Sequence, residues 1–267
     1  MVTMKDAHGL KFYPASHRYK LDGEWVPGVT TLLGKAIPKP ALPKWSAKSV
    51  AEYVAQNREH IEQLYAMGET PMVAALKEVP WAERDRAGVR GTDVHDLVER
   101  YVKGEEIHVP DHLVGHVEAC AAFIDDWAIE PVLVEAVVGS REHQYAGKLD
   151  LIADSNRAPR AIYDWKTAKS GIYFETAFQV TAYAFAEFHG EHGDQSPMSD
   201  VGIGAAFGVH IRADGYDVIP LEYGPQIFAE FVHLRQAADL IARAAGDWKK
   251  PGSGYTGIAL DHEGALA

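Results

Sequence analysis

The sequence predicts an α/β protein: a central mixed β-sheet flanked by helices, with a mainly helical N-terminal elaboration. Three observations predict it. Helical periods dominate residues 45–127, and three apolar runs joined by short polar turns fill 131–166. A helix, two more strands and a long helix then complete the pattern.

The elements follow in order. "LKFYPASHRYKLDGEWV" reads as a hairpin over residues 10–26, with Asp22-Gly23 supplying the turn. The proline-rich stretch from Pro38 to Pro43 reads as extended. Gly28 to Lys35 imitates a phosphate-binding loop, but it has one residue too many between its glycines, and Ala36 stands where Ser or Thr would hold magnesium. Helices are expected over about Trp45 to Met67, Pro71 to Glu78, Trp81 to Lys103 with Gly104 as the stop, and Asp111 to Trp127. "PVLVEAVVG", "YAGKLDLIAD" and "APRAIYDWKT" read as strands. A helix over about Glu175 to Phe188, a polar loop to Asp200, the strands "VGIGAAFGVHI" and "GYDVIPLEY", and a helix over about Pro225 to Trp248 follow. The expected division is an N-terminal part over 1–85, a core over 86–248 and a mobile tail over 249–267.

With 267 residues, 47% of them hydrophobic, the chain can bury a sizeable core. No run approaches the roughly 18 apolar residues of a membrane span, and "MVTMKDAHGLKFY" has no apolar signal segment. A single cysteine, Cys120, excludes an internal disulfide, a zinc ribbon and a four-cysteine iron–sulfur cluster. The expectation is a cytoplasmic protein without membrane contact. The net charge of −12 argues against nucleic acid, yet residues 1–60 hold nine Lys/Arg against five Asp/Glu. A basic arm on an acidic body leaves phosphate binding open.

The stretch "GKLDLIADSNRAPRAIYDWKT" carries the chemistry. A hairpin turning about Asn156 to Ala158 places Asp150 nearly opposite Asp164. Asp164 and Lys166 are two apart and share a face, while Trp165 points the other way. Close carboxylates repel unless a cation lies between them, and magnesium or manganese suits oxygen ligands. The plainer alternative is an Asp–Lys salt bridge at a sheet edge with Asp150 solvated. His95 shares an inward face with Val98 and Val102.

"GKLD", "DWKT" and "QVTAY" (Gln179 to Tyr183), with "RGTDVHDLVE" upstream, resemble the motif set of the PD-(D/E)xK nuclease superfamily, in its RecB-like, phage-type exonuclease branch. The resemblance covers roughly residues 86–190, with four motifs in the family's order. It implies a restriction-endonuclease-like core. Asp150, Asp164, His95 and the Trp165 carbonyl would hold Mg2+ or Mn2+, as two ions. Lys166 would act in catalysis with Asp150 and Asp164. Gln179 and Tyr183 would contact DNA. Glu135 is a second-tier candidate, a further ligand or an edge-strand charge, and Glu99 a weaker one.

The implied activity is hydrolysis of phosphodiester bonds at double-stranded DNA ends, in phage-type recombination or repair, with a single-strand annealing protein as a possible partner. Two alternatives stand beside it: a catalytically silent nucleic-acid-binding accessory protein, and an endonuclease with the same metal chemistry. The spacing of His112 and His116 suits a helical metal pair, but "HLVGH" lacks the glutamate of a zinc protease. Oligomeric state and digestion polarity have no signature in the sequence.

Overall fold

The computed structural model of the protein describes residues 9–168, 170–191 and 193–248; the tail expected over 249–267 lies outside them. Strands β1 (Leu10–Tyr13), β2 (Arg18–Leu21) and β3 (Glu24–Val26) form an antiparallel meander, one strand more than the expected hairpin. Asp22 and Gly23 adopt φ of 49° and 89°, the left-handed pair that a tight two-residue turn requires.

The helices differ from expectation at Pro40–Pro43, at Asn57 and at Pro80. Helix α1 (Val29–Ala36) is followed by α2 (Ala41–Gln56), so Pro40 and Pro43 sit at its cap and first turn. There a missing N–H has no intrahelical partner to lose. The single helix expected over 45–67 is instead interrupted at Asn57, and α3 (Arg58–Met67) continues it. The two helices expected over 71–78 and 81–103 are one 34-residue helix, α4 (Glu69–Val102), with Pro80 inside. An interior proline costs roughly 3 kcal/mol, which the burial of Pro80 and the packing of the helix's C-terminal half offset. Helix α5 (Val114–Asp126) completes the helical part.

The chain then changes period. Strands β4 (Glu130–Val134), β5 (Val137–Ser140), β6 (Tyr145–Lys148), β7 (Leu151–Asp154) and β8 (Ala161–Lys166) are followed by α6 (Glu175–Ala184). The helix expected to reach Phe188 stops at Ala184, Phe188 begins a short strand, β9 (Phe188–His189), and a second, β10 (Ser196–Pro197), lies in the stretch expected as a polar loop. Strands β11 (Ala205–Arg212) and β12 (Gly215–Pro220) and helix α7 (Pro225–Trp248) end the described chain.

The central sheet has five strands in the order β12-β11-β8-β7-β4. It is mixed: β8 and β11 run parallel and the other neighbours antiparallel. A second sheet runs β10-β9-β5-β6. Alternation along the strands sorts their side chains onto two helical layers. Ile152 and Ile162 pack with α1, α6 and α7 through Leu32, Val180 and Phe231. Leu151, Tyr163 and Trp165 pack with α4 and α5 through Leu97, Val98 and Phe123. The Phe123 ring lies 5.4 Å from Trp165 and 5.6 Å from Tyr163 in edge contacts. Those rings lock β8 so that Asp164 and Lys166 face the α6 layer; Phe123→Ala removes the lock at a cost of about 3–5 kcal/mol.

Candidate metal centre

Two runs read as unbroken strands are each interrupted at one level. Glu135 and Ala136 separate β4 from β5, and Leu149 and Asp150 separate β6 from β7. The ladder continues across the gap, with Glu135 N–H donating to Asp150 O at 2.9 Å and Leu149 N–H to Ala136 O at 2.9 Å. Glu135 adopts a left-handed φ of 52° there, a conformation that costs a non-glycine residue free energy and that clusters at functional sites. The kink feeds one long hairpin into two sheets. It also re-aims side chains, as bulges beside active sites do.

Asp150 stands at this kink. Its Oδ2 accepts the backbone N–H of Trp165 at 2.8 Å, and its Oδ1 lies 3.6 Å from Nδ1 of His95. His95 projects from α4, and its Nε2 lies 3.2 Å from the Trp165 carbonyl. A bond to that carbonyl needs the ring proton on Nε2. The other ring nitrogen, Nδ1, faces the Asp150 carboxylate. Glu135 joins them: His95, Glu135 and Asp150 each offer a ligand atom, all within 4.8 Å of one another.

Asp164 occupies the next step of the ladder after the Leu151–Tyr163 pair, with 2% of its surface exposed. Its Oδ1 accepts from Gln179 Nε2 at 2.8 Å, and its Oδ2 forms an ion pair with Lys166. Lys166 Nζ donates to Gln179 Oε1 at 3.4 Å. Gln179 thus spans both partners of the pair from α6. Four residues on, the Tyr183 hydroxyl lies 3.4 Å from Gln179 Nε2. Tyr183 is buried, and the edge of its ring abuts Gly147, where a Cβ would stand 2.3 Å from Tyr183 Cε1. The glycine of "GKLD" and the tyrosine of "QVTAY" are therefore one packing unit.

Electrostatics favour a cation. Burial, and then Asp150, push the Glu135 carboxyl up to about 7, although Lys148 pairs with it and opposes the shift. Burial also raises Asp164, with Lys166 opposing and Asp150 adding to the rise. Burial disfavours the Lys166 ammonium, but Asp164 and Asp150 together hold its pKa above the ordinary lysine value. Acid outweighs base in the cluster. One imidazole and two carboxylates are a donor set that Mg2+ or Mn2+ accepts, and the residues present fit such an ion.

The structure gathers His95, Glu135 and Asp150 into one group, with the Trp165 carbonyl on His95, and joins Asp164, Lys166 and Gln179 into a second set coupled to it through Asp150. Asp164 is hydrogen-bonded by Gln179 through Oδ1 and ion-paired with Lys166 through Oδ2, and it is not one of the three clustered ligands. Glu135 moves from second tier to the centre of the site. Glu99 is more remote, 4.0 Å from Lys148. Lys148 had no role in the sequence reading. Its signal was its position two residues before Asp150, on the same face of an alternating strand.

Among the described residues, no helix is long and apolar enough to cross a membrane. Comparisons with protein-family models and with curated proteins return no match to this sequence.

Proposed function

We propose that the chain is a metal-dependent DNA exonuclease with a restriction-endonuclease-like core, of the RecB-like PD-(D/E)xK type, acting on double-stranded DNA ends. One observation carries this reading. Asp150 links His95 to the backbone of Trp165, one residue from the buried Asp164–Lys166 pair. His95, Asp150, Glu135 and the Trp165 carbonyl would hold Mg2+ or Mn2+. Such an ion, when bound, lowers the pKa of water and offsets charge on a phosphodiester oxygen.

The chain's own residues supply the rest. Lys166 presents an ammonium beside the cluster, and its contacts with Asp164 and Gln179 fix its direction. There it orients a water and stabilises negative charge developing on phosphorus-bound oxygen. Gln179, half-buried, engages Asp164 and Lys166 and lines the cleft beside Lys166, where it would contact DNA, while buried Tyr183 supports it from the same helix. Digestion of linear duplex with magnesium, absent in chelator and in Lys166→Ala, is the expected result. Magnesium-independent digestion, or digestion that persists in Lys166→Ala, overturns the reading. Cutting of a covalently closed circle assigns an endonuclease instead.

A second reading has its own observation. Asp150 and Asp164 are both hydrogen-bonded by protein donors, so the fold does not need an ion to hold them. This favours a catalytically silent nucleic-acid-binding protein. Calorimetric titration with manganese separates the two. Uptake lost in Asp150→Asn supports the enzyme, and no uptake supports the silent binder.

A further inference from the structure

The meander has two unlike faces. Leu10, Tyr19, Leu21 and Val26 are buried against Val137, Ala146 and Phe188. The opposite face carries Lys11, Tyr13, Arg18, Lys20 and Trp25, placed together by register: Lys11 opposite Lys20, Tyr13 opposite Arg18, Lys20 opposite Trp25. The Arg18 guanidinium lies 3.8 Å from the centre of the Trp25 ring, with Lys20 4.9 Å from it. Lys11 lies 5.2 Å from the Tyr13 ring, and the two aromatic rings are 5.2 Å apart.

This arrangement is a poor one for stability alone. Like charges directly across a strand pair repel, and Trp25 leaves 47% of its surface in water. Among the described residues no carboxylate forms an ion pair with Lys11, Arg18 or Lys20. By contrast Lys39 and Lys48 pair with Glu175 and Glu52. In a chain of net charge −12, such a face matches a polyanion that also offers flat rings.

We propose that this face binds single-stranded nucleic acid, the cations meeting phosphates and Trp25 and Tyr13 stacking on unpaired bases. A duplex keeps its base faces inside its own stack and offers only phosphate, whereas an unpaired strand offers both. The meander's buried side is tied to the candidate metal centre. Ala146 N–H donates to Pro27 O at 3.1 Å, and Lys148, on the same strand as Ala146, lies 5.9 Å from the Phe12 ring.

The test is fluorescence anisotropy of a labelled oligothymidylate and a labelled blunt duplex, in chelator. Hydrolysis plays no part in it, so failure of the nuclease reading and failure of this proposal are separate results. Oligothymidylate is expected to bind more tightly than duplex. Trp25→Ala should weaken it at least about fivefold while Trp25→Phe retains most of it. Arg18→Ala/Lys20→Ala should lower the slope of log affinity against log salt by about 1.4. Circular dichroism melts identify any variant that fails to fold, and Trp25→Phe then carries the comparison. Duplex binding as tight as single-strand binding, or unchanged affinity in the folded variants, overturns the proposal.

Discussion

The carboxylate of Asp150 accepts the backbone N–H of Trp165 at 2.8 Å, across the kink where β6 gives way to β7. One acid therefore fixes the edge of β8 and faces His95 at once. Asp150→Ala leaves that N–H without its acceptor, at a cost of about 1–3 kcal/mol. Asp150→Asn keeps an acceptor oxygen and should cost less, yet it removes the negative charge that attracts a cation. Urea denaturation in chelator, beside manganese titration, should show Asn retaining stability and losing metal. Equal stability of the two variants contradicts the assignment.

The stability that Glu135 contributes to the metal-free protein should weaken as pH rises. The folded pKa of Glu135, about 7, lies above its ordinary value of 4.5, so the folded state holds this proton more tightly than the unfolded chain does. Stability from that group is fully present below about 4.5 and declines through about 7, by up to about 3 kcal/mol. Asp164, also raised, adds to the same decline. Thermal melts in chelator from pH 5 to 8 should show it, and Glu135→Gln should flatten the profile. A Glu135→Gln profile parallel to that of the wild type would refute the inference.

Gly147→Ala should disturb the site from a distance. The added methyl meets the Tyr183 ring at 2.3 Å, an overlap that must push α6 or the strand aside. Overpacking of this kind costs about 1–3 kcal/mol. Tyr183→Phe keeps the ring and loses only a long hydroxyl contact, so it should cost less than about 1 kcal/mol. Calorimetric melting of both variants checks the order.

Gln179→Ala removes the amide that spans Asp164 and Lys166. If the chain is the nuclease proposed above, the expected loss is in turnover, by roughly 10- to 100-fold, with Lys166 less well directed. Gln179→Glu should do worse, because it places a further carboxylate beside buried Asp164. Steady-state rates on linear duplex decide this; unchanged turnover in Gln179→Ala excludes a positioning role.

Much of the fold was legible because periodicity is local. The alternation of "IYDWK" separates Asp164 and Lys166 from Trp165 whatever surrounds them, and the apolar stripe beside His95 turns that helix face inward. Proline was over-read. Pro43 fits a first helical turn and buried Pro80 an interior, and local propensity does not contain the packing that decides between a break and a continuous helix.

The order of charged residues along the hairpin, and the face on which each lies, belong to the sequence alone. Tertiary structure decided where the hairpin kinks, and hence that Glu135 meets Asp150 and His95. It also joined Gln179 to Asp164 and Lys166, and set Arg18 and Lys20 beside Trp25 with Lys11 beside Tyr13 on one sheet face. Side-chain period follows from backbone geometry a few residues long. The desolvation and pairing of charge depend on segments far apart in the chain, and those are brought together only by folding.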